Sequence, residues 1–237
     1  MSKRFVLIHG AWHGGWCWEK VIGELEARGH SAEAPTMPGM NPGDDRSRVT
    51  FDDYRKAIVD TLRSLPEPAV LVGHSSAGFL LQAAAPDAPD RIERLVFHNA
   101  FVLPDNHAQF DLVPPEVAQG MTALAEASPD ASVPVIEDFV RGALLAGESR
   151  EVQDDLMARL GPQPLVLFTT KVRTGPFEAL DVPKTYLFCK DDQTPAPYRE
   201  MARALGDDCT FMEIDGGHET LWLHPERVAE ALIRAAG

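Results

Sequence analysis

The chain has 237 residues, of which 44% are hydrophobic and 24% charged, and its formal net charge is −14. That size and balance suit one large folded core with room for a subdomain. A chain this acidic is repelled by nucleic-acid phosphate and by anionic membrane surfaces, and no Lys/Arg cluster offsets the charge, so neither partner is expected.

Lys3-Arg4 precedes the apolar run Phe5 to Ile8, which is too short for a signal peptide, and no run approaches the ~20 apolar residues of a membrane span. Phe5 to Ile8, Ala69 to Val72, Leu95 to Phe97, Thr185 to Phe188 and Cys209 to Ile214 read as strands buried on both faces, as in a parallel sheet. Between them, helical patterns run over Trp18–Arg28, from Asp52-Asp53 to Ser64, over Ser76–Ala85, Pro195–Leu205 and Pro225–Ala236. The alternation predicts a doubly wound, mostly parallel α/β sheet. The rhythm fails between about Pro104 and Asp181, where three helical stretches (114–127, 135–146 and 149–160) are punctuated by Pro and Gly. The expected layout is a core of residues 1–103 and 182–237 with a helical cap, 104–181, inserted in it. Cys17, Cys189 and Cys209 are widely spaced and read as free thiols of a reducing compartment, which places the protein in the cytoplasm.

The stretch Val72-Gly73-His74-Ser75-Ser76-Ala77-Gly78 joins a predicted strand to a predicted helix. A serine nucleophile on such a turn needs small residues two places before and after it, because strand and helix backbones approach closely there. Gly73 and Ala77 flank Ser75 in this way, whereas Ser76 would place the His74 imidazole in the packed turn. Ser75 is therefore the candidate nucleophile. The Ser76 amide, opening the helix, is one candidate oxyanion donor. The second is the Ala11 amide, in the loop His9-Gly10-Ala11-Trp12 after the first strand. Gly78 has no role that the sequence explains.

A serine needs a base, and the base needs an orienting carboxylate. His218 follows the last strand across Gly216-Gly217, a loop able to present it. Asp192 is the favoured acid. Its neighbour Asp191 reads as solvated or helix-capping, and Asp215 as a surface acid. His9 and His13 lack the glutamate of a helical zinc motif, so no metal is expected. His74 is too near Ser75 in sequence to act as its base, and His30, His98, His107 and His224 read as structural or surface residues. Trp12, Phe101 and Trp222 each lie beside a catalytic loop and are candidate acyl-pocket residues. Phe110, Phe139, Phe168 and Phe177 are candidates for the inner face of the cap.

The loop from His9 to Trp16, the elbow Gly73-His74-Ser75, the acid loop Cys189-Lys190-Asp191-Asp192 and the base loop ending in His218 together resemble the plant-type methylesterase/hydroxynitrile lyase group of α/β-hydrolases. The resemblance is weakest in the cap. It implies the α/β-hydrolase fold, a Ser75–Asp192–His218 triad, an oxyanion hole from the amides of Ala11 and Ser76, no cofactor, and small apolar acyl or aryl substrates. Two positions depart from the lyases of that group, which carry a hydroxyl residue where this chain has Gly10 and a lysine where it has Glu219. A cation stabilises departing cyanide and a glutamate does not. If Glu219 faces the pocket, it repels anionic substrates.

The expected function is thus a carboxylesterase acting on a small ester through an acyl-enzyme. The same motifs serve lactonases, thioesterases, amidases and biosynthetic cyclases, and the scaffold also suits a non-enzymatic ligand receptor. Oligomeric state is not legible in the sequence.

Overall fold

The computed structural model describes residues 2–237. Among the described residues eight strands form: β1 (Arg4–Ile8), β2 (Ser31–Glu33), β3 (Ala69–His74), β4 (Ile92–His98), β5 (Ser132–Val133), β6 (Gln163–Pro164), β7 (Lys184–Cys189) and β8 (Thr210–Ile214). Six of them make a parallel sheet in the order β2-β1-β3-β4-β7-β8, and β5 and β6 form a separate antiparallel pair. Four of the apolar runs become strands with both faces covered, whereas the fifth, expected over Cys209–Ile214 as buried on both faces, is the edge strand β8, whose residues apart from Ile214 are exposed or half-exposed because no neighbour covers that edge. Val6, Ile8, Leu71, Leu95 and Phe97 join one core cluster, and the alternate residues Phe5, Leu7, Val70, Val72 and Val96 join the other. This is the period of two expected when successive side chains leave opposite faces of a sheet.

Helices Phe51–Ser64 and Ala77–Ala84 cover the first face through Tyr54, Ile58, Leu62, Phe79 and Leu81. Helices Glu19–Ala27 and Pro225–Ala236 cover the second through Val21, Leu25, Val228 and Leu232. The Phe51–Ser64 helix starts at a reciprocal cap, in which the Thr50 hydroxyl accepts from the Asp53 amide and the Asp53 carboxylate accepts from the Thr50 amide. β2 is absent from the sequence reading. It is a short, half-polar edge strand, Ser-Ala-Glu, held by pairing with β1 and carrying no apolar run of its own.

Residues 99–183, between β4 and β7, hold helices Pro115–Glu126 and Arg150–Met157 with shorter turns. The stretch expected as one helix over 135–146 is instead a single α-turn, Glu137–Phe139, running into a π-turn, Val140–Leu144. The segment also contains β5 and β6, which two-residue lengths hide from any periodicity argument. Its apolar residues Met121, Ala125, Val133, Leu167 and Phe168 belong to the same core cluster as the sheet. The predicted Pro195–Leu205 helix begins only at Tyr198, because Thr194, Pro195 and Ala196 occupy a loop against the site and Pro197 stands at the cap.

Candidate active site

The carboxyl ends of β1, β3, β4, β7 and β8 carry the loops that form the site. The chain order reverses between β1 and β3, which opens a crevice of the kind where ligands bind in such sheets. Ser75 stands at this point with φ +54°, a left-handed conformation that is strained for a serine. The turn is held by its neighbours. The Ser75 amide donates to His98 O at 3.2 Å, and Ser75 O accepts from Gly78 at 3.1 Å and from Phe101 at 3.0 Å. A Cβ at Gly73 would meet Leu81 at 2.8 Å and the Ala77 backbone at 3.1 Å, so the position two before the serine has little room for a side chain. Gly78 now has an explanation. A Cβ there would lie 2.2 Å from Phe101 O, so the helix opens pressed against the backbone leaving β4.

His218 is buried, and its Nδ1 lies 2.7 Å from Asp192 Oδ2. The Asp192 side chain is itself fully buried and its oxygens are saturated. Asn99 Nδ2 donates to Oδ2 at 2.6 Å, and the Thr194 amide and hydroxyl donate to Oδ1 at 2.8 and 2.6 Å. Burial alone would raise the Asp192 carboxyl, but the His218 charge and the hydrogen bonds from His218 and Thr194 hold it below the usual carboxylate value. Burial likewise opposes protonation of His218, and Asp192, with Glu219 behind it, lifts the ring above the usual imidazole value. Neither Asn99 nor Thr194 was legible in sequence. Asn99 has φ +42° and its Oδ1 accepts from the Cys189 amide at 2.7 Å, so one amide side chain locks the β4 end to the β7 end. The only local signal is an asparagine directly after a strand.

Of the other acids, Asp191 is exposed, and its Oδ2 accepts from the Gly216 amide at 3.1 Å, bracing the base loop. Asp215 pairs with Lys190 at the surface. His74 Nε2 donates to His218 O at 3.1 Å, so the elbow strand supports the base loop as well.

Ala11 and Ser76 line the same cavity as Ser75 and His218, and among the described residues neither backbone amide donates to a protein acceptor. The Gly10–Ala11 peptide is clamped from behind. His9 Nε2 must accept from the Met37 amide (2.9 Å), which leaves Nδ1 protonated to donate to Gly10 O (2.8 Å). Burial pushes His9 down to about 4, so this neutral tautomer persists at ordinary pH. Trp12 continues the loop at φ +64°. Its amide donates to Gln163 Oε1 (3.1 Å) and its indole to Val133 O (3.3 Å), tying the loop to β6 and β5.

The cavity measures about 610 Å3, and its lining is chiefly apolar. Trp12 and Phe101 line it, together with Phe110, Phe139 and Phe168 of the inserted segment. The Ser75 hydroxyl and the His218 ring share this space without a hydrogen bond between them among the described residues. Such bonds commonly shorten only when a substrate closes the site.

Two expectations are overturned, and the condition placed on Glu219 is not met. Trp222 does not line the cavity. The short helix Thr220–Leu223 turns its ring to the seam with Val140, Leu144 and Leu156, edge-on to Trp16 at 5.5 Å and under the Lys20 ammonium at 3.9 Å. Phe177 also lies elsewhere, edge-on to Phe97 at 6.1 Å. Glu219 does not face the cavity either, being wholly buried beside His13. Among the described residues no cluster of His, Cys, Asp or Glu could hold a metal ion, and no helix is long and apolar enough to cross a membrane.

A family model described as the alpha/beta hydrolase family matches residues 5–231. Methylesterase 2 of Arabidopsis thaliana is 32% identical over 210 residues, covering 81% of this chain and 79% of that protein. An alpha-hydroxynitrile lyase from the same plant is 43% identical over 108 residues, 44% of this chain and 42% of that one. The chain thus aligns with less than half the length of some curated relatives. The solved structure of an extracellular alpha/beta-hydrolase from a Paenibacillus species superposes with a TM-score of 0.91 at 27% identity, covering 98% of both chains. The chain belongs to the alpha/beta hydrolase family, in the group that holds the plant methylesterases.

Proposed function

We propose that the protein is a carboxylic ester hydrolase in which Ser75 attacks the ester carbonyl. The observation that carries this reading is the 2.7 Å His218–Asp192 contact beside a serine held at φ +54° in the same cavity. Ser75 Oγ adds to the carbonyl carbon as His218 Nε2 takes its proton. Asp192 fixes the tautomer that leaves Nε2 free and stabilises the imidazolium. The Ala11 and Ser76 amides receive the oxyanion. His218 then protonates the departing alcohol, and a water activated by the same ring releases the acid. No metal or cofactor takes part in this scheme. The mainly apolar cavity favours small apolar acyl or aryl esters, with residues 104–181 acting as the cap over the site. Three free cysteines, two of them buried, support a reducing, cytoplasmic setting.

Lyase chemistry fits less well. A Cβ at position 10 would lie 2.8 Å from Ser75 Cβ, so a hydroxyl side chain could enter there only by displacing the nucleophile. Glu219, where the lyases carry a cation, points into the interior. The test is stoichiometric labelling by a fluorophosphonate probe together with turnover of short methyl and aryl esters. Both should vanish in Ser75→Ala, and a folded wild-type protein that takes no label overturns the reading.

A further inference from the structure

The cavity chemistry leaves one expensive group unused. Glu219 follows the base directly, is 0% exposed, and neither of its carboxylate oxygens accepts a hydrogen bond. A buried carboxylate in that condition is strongly disfavoured unless a positive charge stands by it. The group beside it is His13, 3% exposed, whose Nε2 lies 3.3 Å from Glu219 Oε2. That is ion-pair distance without hydrogen-bond alignment. The other ring nitrogen, Nδ1, lies 2.8 Å from Ala11 O. A carbonyl only accepts, so Nδ1 carries a proton, and a carboxylate opposite Nε2 favours a second.

We propose that Glu219 and His13 form a buried carboxylate–imidazolium pair that ties the base loop to the oxyanion loop, making Glu219 a positioning residue for hydrolysis. The proposal rests on the esterase reading and adds to it. The two peptide planes that flank the Ala11 Cα are each held by an imidazole. His9 holds the Gly10 carbonyl, and His13 holds the Ala11 carbonyl. Glu219 fixes the second of these from a position one residue beyond the base, so donor and base are held by one connected set of contacts. Trp16 stacks on the other side of His13, centroids 5.5 Å apart, and keeps the ring in place.

The surroundings permit this charge assignment. His74, end-on to His13 at 6.5 Å, and His98 behind it are both pushed down by burial and stay neutral. Burial pushes the Cys17 thiol and the Tyr198 phenol up, so they are neutral too. His9 is neutral, which leaves Asp192 and His218 as the other ionising groups near the pair. Burial by itself would lower His13 and raise Glu219. Their attraction reverses both, leaving His13 above and Glu219 below the ordinary values.

The test uses Glu219→Gln, Glu219→Asp, His13→Gln and the double variant Glu219→Gln/His13→Gln, which leaves no unpaired charge if the single variants fold poorly. The expected result is a kcat loss of about ten- to hundredfold in the Glu219→Gln and His13→Gln variants, smaller than loss of an oxyanion donor itself, with KM within about twofold. Glu219→Asp should restore part of it, and the double variant should be no worse than either single. Imidazole nitrogen shifts at neutral pH should report His13 as an imidazolium in the wild type and as neutral in Glu219→Gln. A neutral His13 in the wild type, or additive kcat losses in the double variant, overturns the proposal. Stoichiometric fluorophosphonate labelling of the wild type separates that outcome from failure of the esterase reading, since a Ser75 activated by His218 takes the label whatever the charge of His13.

Discussion

Ser75 and Trp12 hold left-handed backbone at the ends of β3 and β1, and the groups around them are fixed by partners from at least three other elements. The segment lining the other side of the cavity, residues 104–181, uses the opposite construction, with helices, a π-turn and two strands of two residues each. The ring of loops is polar, buried and cross-braced by His9, His74, Asn99 and Asp192. The inserted segment presents mainly aromatic and aliphatic surface to the cavity. The difference teaches a division of work. Chemistry needs atoms fixed within a fraction of an ångström and so demands many constraints per residue, whereas accommodation of an apolar substrate needs shape and tolerates loose specification.

The sharpest way to break this comparison is at the nucleophile. Ser75→Ala should cost on the order of 10^4-fold or more in kcat, while Ser76→Ala, which keeps its amide, should stay within about tenfold. Ester turnover of the two variants checks it, and the reverse order would sink the assignment. Asp192→Asn comes next, with an expected loss on the order of 10^3- to 10^4-fold, because the amide holds the wrong tautomer of His218. The same ester assay at constant pH reads it.

Acid stability probes the ring of loops without touching the reaction. An unfolded histidine titrates near 6.5, but burial holds His9 and His98 at about 4. Between these values the unfolded chain binds more protons, so stability should fall as pH drops from about 6.5 to 4, by about 3 kcal/mol for each ring. Urea melts at pH 7 and pH 4.5 measure it. His98→Phe, which removes one of the buried rings held low, beside His9 and His74, should flatten the slope, and an unchanged slope would refute its attribution to this ring. The smallest effect belongs to the inserted segment. Phe139→Ala, at a half-buried cavity position, should cost about 1–2 kcal/mol and change the relative turnover of aryl and methyl esters more than it changes stability. If it abolishes turnover of every ester while leaving the fold intact, the two regions are not so separate.

The continuous apolar run Phe5-Val6-Leu7-Ile8 and its central counterparts determined the sheet, because a strand buried on both faces favours apolar side chains at successive positions. The elbow was legible for a similar reason, since Gly73 and Ala77 are dictated by backbone approach between neighbours in the chain. Tertiary structure decided everything that depends on contact between distant segments. Gly78 is required by Phe101, Asp192 is completed by Asn99, and the charge of Glu219 is answered by His13, 206 residues away along the chain. Trp222 shows the limit from the other side, because its place beside the base loop gave no sign that the next helix turns it to a different surface. Local sterics and periodicity are written in consecutive residues. The pairing of buried polar groups is not, because any of several distant partners could satisfy each one, and only the folded backbone selects among them.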